Sequence, residues 1–343
     1  MTPSLPFQLV TENPGHWSAV RYRELRRRPP GRGEIEVAVE AAGLNYYDVI
    51  KALNLYAVHN GSTEPFGGEC VGTVTSVGPA VTAFSPGDSV VACARGAIAS
   101  HVVARADHAR HAPLGWAPAE LISLPLVTAT AWHGLVELAR LDKGETALIH
   151  SAAGGVGLAA IQVAHLVGAR VIATTGTERK RAELRRKGIA DVFDSRCDDW
   201  TAQVLAATKG RGVDVVLNSL TGQAMERNLE VLNEDGRYVE LSMYDIKRGA
   251  LLKLDSFTKR LTFCAVDLSG LMRSRPDRFA KTLSRVWDLV MAGQIEALPV
   301  TTWPFADATD ALREFAKGEH IGKLILTQPD TVRLLDRAVG RSA

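Results

Sequence analysis

ALIHSAAGGVGLAAIQVA, residues 147–164, is the stretch that decides the fold of this chain. It starts with an apolar run of strand length and ends with a longer apolar run that suits a buried helix. Between the two lie Gly154, Gly155 and Gly157, which would interrupt a membrane span but suit a tight turn. Glycines there let the backbone approach an anion, which the unpaired N–H groups of the helix N-terminus bind. The stretch therefore predicts a strand, a phosphate-binding turn and a helix.

The alternation of strand and helix continues beyond this stretch. Residues 169–188, 190–210 and 213–232 each contain an apolar strand followed by a helical segment, and GRYVELS at 236–242 adds another strand. Such strands are typical of a parallel sheet that is covered on both faces. Residues 34–104 differ, because their short β-type runs are broken by Gly and Pro, as in a mostly antiparallel domain.

These patterns predict an α/β protein in which a β-rich domain is joined to a doubly wound parallel sheet. We assign residues 1–118 and 297–330 to the β-rich domain and residues 119–296 to the parallel-sheet domain. Residues 331–343 are predicted as a tail or linker. A chain of 343 residues is long enough for two such domains.

Charge and cysteine content narrow the class of protein. A net charge of +2 and 46% hydrophobic residues are typical of a soluble globular protein and exclude a disordered chain or a general polyanion binder. The four cysteines are far apart and the N-terminal residues lack a secretory pattern, so we expect a cytoplasmic location and no membrane contact. Six arginines within residues 21–32 predict a solvated loop in preference to nucleic-acid binding.

The end of the second strand of the parallel sheet indicates which dinucleotide binds at the glycine turn. A site for NAD usually has an acidic residue about 20 residues after the first glycine, where it holds the ribose hydroxyls. Here residues 174–177 are TTGT and residues 178–181 are ERKR. Because Lys and Arg form charge-assisted hydrogen bonds with a 2′-phosphate, this segment predicts NADPH. The alternative is that residues 178–188 form only a solvated helix face with Glu/Arg pairs.

The order of the two domains resembles the medium-chain dehydrogenase/reductase superfamily, many of whose members are zinc alcohol dehydrogenases. The places of their cysteine and histidine ligands here have the sequences GLNYYD at 43–48 and GGE at 67–69. The nine histidines show no HxH or HExxH spacing, so no metal site is predicted. Reduction without a Lewis acid suits an activated C=C bond better than a simple ketone.

Six strings carry a closer resemblance, namely GLNYYDVIKAL (43–53), FGGECVGTVTSVG (66–78), HSAAGGVGLAAIQVA (150–164), DSR (194–196), VDVVLNSL (213–220) and HIGKLIL (320–326). Together they resemble the enoyl reductase domain of modular polyketide synthases and animal-type fatty acid synthases, over about residues 5–327. The resemblance implies a GroES-like substrate domain and a Rossmann domain. It also implies that NADPH gives a hydride to the β-carbon of an α,β-unsaturated acyl thioester and that a proton is added at the α-carbon.

The same resemblance implies partners and cofactor contacts. The enoyl chain is carried by the phosphopantetheine arm of an acyl carrier protein, other synthase domains are further partners, and the arginine cluster offers an alternative role as a docking surface for an acidic carrier. The residues assigned to the cofactor are Asn45, Thr128, Gly154, Gly155, Val156, Gly157, Thr175, Gly176, Thr177, Lys180, Arg196, Asn218, Ser219 and Leu220.

Three groups are implied for handling the proton. Lys180 and Asp199 match a Lys and an Asp that lie near the cofactor in this family, with Asp198 as an adjacent alternative, and Lys180 is equally placed to bind the 2′-phosphate. Tyr46 matches a tyrosine associated with the face on which the enolate is protonated. Tyr47 and Tyr56 remain alternatives to Tyr46.

Two rival functions remain open at this point. One is a quinone or small-enone reductase of the same superfamily, and the other is a non-catalytic protein that binds NADPH. Acyl chain length, preference for an α-methyl branch, stereochemistry of protonation and oligomeric state are left undetermined.

Overall fold

A computed structural model describes residues 5–55 and 64–328. The strands are β1 (Phe7–Thr11), β2 (Val20–Glu24), β3 (Glu34–Gly43), β4 (Glu64–Pro65), β5 (Glu69–Val77), β6 (Ser89–Cys93), β7 (His101–Arg105), β8 (Ala109–His111), β9 (Thr146–Ile149), β10 (Arg170–Thr175), β11 (Asp191–Asp194), β12 (Val213–Asn218), β13 (Leu232–Glu240), β14 (Thr262–Ala265), β15 (Val300–Pro304) and β16 (Lys323–Thr327). The α-helices are α1 (Tyr46–Leu53), α2 (Pro118–Leu121), α3 (Pro125–Trp132), α4 (Gly155–Val167), α5 (Glu178–Arg186), α6 (Trp200–Ala207), α7 (Ala224–Val231), α8 (Met243–Lys247), α9 (Leu268–Ser274), α10 (Pro276–Met291) and α11 (Ala308–Lys317). A π-helix, His133–Leu138, follows α3.

Six strands form one parallel sheet in a compact unit, Val127–Glu296, which we name the Rossmann unit. The strand order is β11-β10-β9-β12-β13-β14, and every neighbouring pair is parallel. This is the order 3-2-1-4-5-6 of doubly wound dinucleotide-binding sheets, in which ligands bind at the carboxyl ends of the strands where the order reverses. The predicted doubly wound sheet is confirmed.

Local sequence explains how the first elements of this sheet form. Every residue of β9 and of β12 is buried, as expected for central strands covered on both faces. The helix α4 is closed by Gly168, whose φ of 81° gives the left-handed conformation that a helix end favours. The helix α5 is capped by Thr177, whose hydroxyl accepts a hydrogen bond from the Lys180 N–H.

The described residues up to Leu126 and from Ala297 to Gln328 form a second compact unit, which we name the β unit. Its larger sheet has the order β15-β16-β3-β5-β6-β8, with β7 also paired to β3, and its smaller sheet has the order β2-β1-β4. Every pair is antiparallel except β15 with β16. Apolar side chains such as Phe7, Ile35 and Leu324 fill its core. The predicted mostly antiparallel domain is confirmed.

The return of the chain to the β unit supplies two strands, β15 and β16, which run parallel to each other. The two units divide at 126/127 and 296/297, whereas the sequence analysis places these limits at 118/119 and 296/297. The predicted tail, residues 331–343, lies outside the described residues.

The arginine cluster is only partly the solvated loop predicted for it. Its first residues belong to β2, which pairs with β1, so they form a strand. Arg27 makes two hydrogen bonds to Glu36, of 2.8 and 2.7 Å, and Arg28 makes two to Glu34, of 2.6 and 2.9 Å. The Arg27 guanidinium lowers the pKa of Glu36 to about 2. Arg27 and Arg28 are therefore engaged in intramolecular ion pairs.

Within the part of the chain that the structure describes, one helical run is long and apolar enough to cross a membrane by length and composition alone. It is Pro118–Leu138, and 67% of its most apolar window is buried inside the fold, as is usual for a core helix. The uncharged stretch 146–169 is divided between β9 and α4 by the glycine turn.

Candidate cofactor and active site

In the glycine turn between β9 and α4, the backbone at Gly157 lies close to the backbone at Ser151 and Ala152. A Cβ on Gly157 would lie 2.5 Å from the Ala152 Cα and 2.6 Å from the Ser151 carbonyl oxygen, so only glycine fits there. Ser151 itself has a φ of 49°, a left-handed conformation uncommon outside glycine. Gly155, Val156 and Gly157 open α4, and their N–H groups have no acceptor within the helix. This geometry is what a pyrophosphate-binding turn requires.

We expect Gly157→Ala to lower the free energy of unfolding by about 1–3 kcal/mol and to weaken NADPH binding, because the added methyl group would push α4 away from the turn. Gly154→Ala is the matched control, since a Cβ there would meet only the Ser151 carbonyl oxygen, at 3.3 Å. Urea unfolding followed by circular dichroism measures the stability of both variants. Equal stability of the two would contradict the packing role assigned to Gly157.

At the carboxyl end of β10, Gly176 and Arg196 lie against each other. A Cβ on Gly176 would be 2.6 Å from Nε of Arg196, so the arginine side chain covers bare backbone. The φ of Gly176 lies outside the left-handed region. Glycine is therefore required at this position because there is no room for a Cβ, and not because of the backbone conformation. Lys180, in the first turn of α5, is only 7% exposed, and Thr177 caps that turn. The predicted 2′-phosphate residues are thus brought together at one strand end.

The loop after β12 is held by the side chain of Asn218, the last residue of that strand. The buried Asn218 amide donates to the Leu220 carbonyl at 2.8 Å, and its oxygen accepts from the Leu220 N–H at 3.1 Å. Ser219 donates to the Ser151 hydroxyl at 2.8 Å, which ties this loop to the glycine turn. Three predicted cofactor residues therefore form one connected edge with the turn.

A buried polar network that the sequence analysis missed supports this edge. Glu240 accepts hydrogen bonds from Asn218 and Tyr238, each at 2.8 Å, and Asn228 donates to Asn218 at 3.1 Å. The ring of His150 bonds to Asn228 at 2.7 Å. Burial raises the pKa of Glu240 to about 7 and lowers that of His150 to about 4.

A recognisable signal for this network exists in the sequence. His150, Asn218 and Glu240 each stand at or just beyond the carboxyl end of a strand of the parallel sheet. Polar groups at that end of a parallel sheet lie where ligands bind, and buried ones need partners. Reading strand ends across the whole sheet, and not only at the glycine turn, would have located them.

A cavity of about 300 Å³ lies in the Rossmann unit beside the loop after β12. It is lined by Ser195, Trp200, Leu220, Thr221, Gln223, Ala224 and Arg227. Because Ser195 and Arg196 are adjacent, the cavity is next to the residues assigned to the 2′-phosphate.

Thr128, which the sequence analysis assigns to the cofactor, is completely buried in α3. Among the residues that the structure describes, its hydroxyl oxygen has no hydrogen-bond partner. Buried polar atoms almost always have one, so an unpaired hydroxyl indicates a group that a ligand can satisfy. Together with the glycine turn and Arg196, this residue shows that the Rossmann unit fits a dinucleotide.

In the β unit, Asn45 belongs to a buried cluster that the sequence analysis did not foresee. Its amide nitrogen donates to Glu69 at 3.1 Å, and its oxygen accepts from the Lys323 ammonium at 3.3 Å. Lys323 also forms a direct ion pair with Glu69, and both side chains are completely enclosed. The other oxygen of Glu69 accepts from the Leu126 N–H at 2.9 Å. A Cβ on Gly43 would overlap both charged groups, so the cluster uses the space left by that glycine.

A second buried ion pair fixes the start of α1. Asp48 and Lys51 are 2.9 Å apart, and Asp48 also accepts from the Asn45 and Gly67 N–H groups at 3.0 and 2.9 Å. The Lys51 ammonium lies 5.3 Å from the centre of the Tyr47 ring. These contacts fix the backbone from which Tyr46 projects.

The residues assigned to proton handling have different environments. Tyr46 is the first residue of α1, is 56% exposed, and has its ring 6.4 Å from that of Phe315. Asp199 precedes α6, is exposed and accepts from the Gln203 amide at 3.3 Å, whereas Asp198 pairs with Arg227 at 3.1 Å. Tyr56, the third tyrosine considered, lies outside the described residues.

Comparison with known proteins places these observations in a family. The model described as "Alcohol dehydrogenase GroES-like domain" matches residues 31–116, and the one described as "Zinc-binding dehydrogenase" matches residues 155–288. The crystal structure of CurK enoyl reductase is 32% identical, with a TM-score of 0.86, and the match covers 94% of this chain and 99% of that one. The chain belongs to the enoyl reductases of the medium-chain dehydrogenase/reductase superfamily. The predicted resemblance is confirmed.

Two other comparisons place this enoyl reductase family member among its relatives. One subunit of the phenolphthiocerol/phthiocerol polyketide synthase of Mycobacterium tuberculosis is 40% identical over 322 residues, which are 94% of this chain and 15% of that protein. The chain thus spans 15% of the length of that large synthase protein. Escherichia coli quinone oxidoreductase complexed with NADPH is 25% identical with a TM-score of 0.82, over 94% of this chain and 99% of that one.

The zinc named in one family description does not fit the residues of this enoyl reductase family member. The two segments that the resemblance matches to zinc ligands contain Asn45 and Glu69, and a lysine ammonium already neutralises the carboxylate. Within residues 5–55 and 64–328, no three His, Cys, Asp or Glu side chains lie close enough together to hold a metal ion. A Zn²⁺ site needs three or four such ligands.

Proposed function

We propose that this chain is an NADPH-dependent enoyl-thioester reductase that acts on an α,β-unsaturated acyl chain bound to an acyl carrier protein. The observation that carries the proposal is the 32% identity to an enoyl reductase over 99% of that protein. The match to 15% of a polyketide synthase protein supports a role as one domain of a polyketide or fatty acid synthase, with the other synthase domains as partners. We propose the cytoplasm as its location.

The proposal assigns the cofactor to the Rossmann unit. Bound NADPH supplies the hydride that reduces the β-carbon. The N–H groups of Gly155, Val156 and Gly157 would hold the pyrophosphate, because they open a helix without intrahelical acceptors. Arg196 would hold the 2′-phosphate, since it lies across the open backbone of Gly176. The remaining contacts are assigned to Asn45, Thr128, Gly154, Thr175, Thr177, Asn218, Ser219 and Leu220.

The proton that completes the reduction is assigned to Lys180. Lys180 is only 7% exposed and stands in the first turn of α5, directly after the strand end assigned to the cofactor, where its ammonium can serve as a general acid. Arg196 offers a separate cation for the 2′-phosphate, so Lys180 is not needed for that contact. Asp199 is assigned to support Lys180, and Tyr46 to direct the face on which the α-carbon is protonated.

Turnover of defined substrates tests the proposed function. With NADPH, the full chain is expected to reduce the crotonyl thioester of pantetheine with a kcat/KM at least about 100-fold above that for 1,4-naphthoquinone. The reason is that an enoyl-thioester reductase binds the transition state of thioester reduction more tightly than that of quinone reduction. NADH is expected to be about tenfold or more less effective, since it lacks the 2′-phosphate. The decrease in absorbance as the reduced cofactor is oxidised measures all of these rates.

The same assay decides between the rival functions. Reduction of naphthoquinone without reduction of the thioester would indicate a quinone reductase. NADPH binding without oxidation by any of these substrates would indicate a non-catalytic protein. Turnover of an α-methyl-branched enoyl thioester with deuterated solvent then gives the face of protonation.

A further inference from the structure

The carboxylate of Asp194 makes two separate contacts at the end of β11. One oxygen accepts from the backbone N–H of Arg196 at 2.9 Å, and the other pairs with the Arg181 guanidinium at 2.7 Å. The Asp194 carbonyl also accepts from the Cys197 N–H at 3.2 Å. Asp194 therefore closes the turn from which the Arg196 side chain reaches Gly176.

Arg181 is held in place on several sides. Its guanidinium donates to the Thr175 carbonyl at 3.2 Å and to Glu178 at 2.9 Å, besides its pair with Asp194. Its side chain is 15% exposed, compared with 34% for that of Asp194. Arg181 belongs to the ERKR segment, whose cations suit a phosphate, yet these contacts direct it towards the ends of β10 and β11.

We propose that Asp194 and Arg181 are positioning residues that set selectivity for the 2′-phosphate, a proposal that rests on the proposed use of NADPH. Asp194 holds the turn that places Arg196 across Gly176. Its charge alone would repel a phosphate at that strand end, and Arg181 neutralises it. The selectivity thus depends on a cation that does not itself bind the phosphate.

A Cβ added at Gly176 would displace the Arg196 side chain without changing any charge. A Cβ on Gly176 would lie 2.6 Å from Nε and 3.1 Å from Cζ of Arg196. These atoms belong to the far part of a flexible side chain, so the arginine can swing away while the backbone stays in place. Gly176→Ala therefore tests the position of Arg196 separately from its presence.

The experiment measures binding of two nucleotide fragments to the full chain by calorimetry. The probes are adenosine 2′,5′-bisphosphate and AMP, which differ only in the 2′-phosphate. Because neither carries a nicotinamide, the measurement is independent of catalysis. Affinity for AMP also reports whether each variant has a folded Rossmann unit.

We expect the native chain to prefer the bisphosphate by about tenfold or more, since charge-assisted hydrogen bonds are lost with AMP. Arg181→Met and Gly176→Ala should each weaken bisphosphate binding by about tenfold and leave AMP binding within about twofold. In Arg181→Met/Asp194→Asn, which removes both charges and keeps an acceptor for the Arg196 N–H, bisphosphate affinity should return to within about threefold of the native value.

The double variant separates the proposal from its alternative. If Arg181 bound the phosphate directly, Asp194→Asn would not restore binding to Arg181→Met, and the proposal would be overturned. Equal loss of AMP and bisphosphate affinity in Arg181→Met would also overturn it, since the role would then be structural. A native chain that binds both fragments equally would instead contradict the proposed NADPH specificity itself.

Discussion

Replacing Lys180 with alanine is expected to lower kcat for enoyl-thioester reduction by about 100- to 10,000-fold, the usual contribution of a general acid. The KM for NADPH should stay within about threefold, because Arg196 is the residue assigned to the 2′-phosphate. Steady-state kinetics with the crotonyl thioester of pantetheine, at saturating and limiting NADPH, separate the two parameters.

Lys180→Arg is the matched control for charge. Arginine keeps the positive charge but does not release a proton in proteins, so it should be as slow as the alanine variant if Lys180 is the donor. If the role of Lys180 were to bind the phosphate, Lys180→Arg would be close to native, and alanine would raise the KM for NADPH with an unchanged kcat.

The second large effect is expected at the buried ion pair of the β unit. Lys323→Met should lower the free energy of unfolding by about 3–5 kcal/mol, because it leaves the Glu69 carboxylate buried without a counter-charge. Glu69→Gln/Lys323→Met should recover most of this loss, since the amide oxygen still accepts from the Leu126 N–H. Urea unfolding at neutral pH gives the values.

Lys317→Met is a matched control for the loss of a lysine. Its ammonium is 2.8 Å from Glu314, but both side chains are exposed, and such surface pairs contribute little. The burial argument would be wrong if Lys317→Met and Lys323→Met were equally destabilising.

The parts of the site that could be predicted from the sequence are those built from neighbouring residues. The glycine turn, the TTGT segment and the DSR turn all follow parallel strands whose apolar runs are easy to recognise, and the sheet brings the strand ends together. Gly176 and Arg196 are an example, because the strand end assigns Gly176 to the cofactor, the family resemblance assigns Arg196, and the structure places the two against each other.

The parts that could not be predicted depend on pairings between distant segments. Lys323 and Glu69 are separated by 254 residues, and nothing in HIGKLIL or GGE specifies that the two charges meet. The direction of Arg181 was also beyond sequence reasoning, since the cations of ERKR all suit a phosphate by charge alone. Which of them turns towards Asp194 follows from the helix phase of α5 and the register of β10 with β11.

The pairing of β16 with β3 has a consequence for the order in which the chain folds during synthesis. The Rossmann unit is one continuous segment, so it can fold as soon as its last strand and helices leave the ribosome. The β unit has to wait, because β3 and β5 emerge first while their partner strand and the lysine that neutralises Glu69 come last. Until then we expect the Glu69 carboxylate to stay hydrated, and we expect final closure of the larger sheet to be coupled to its desolvation.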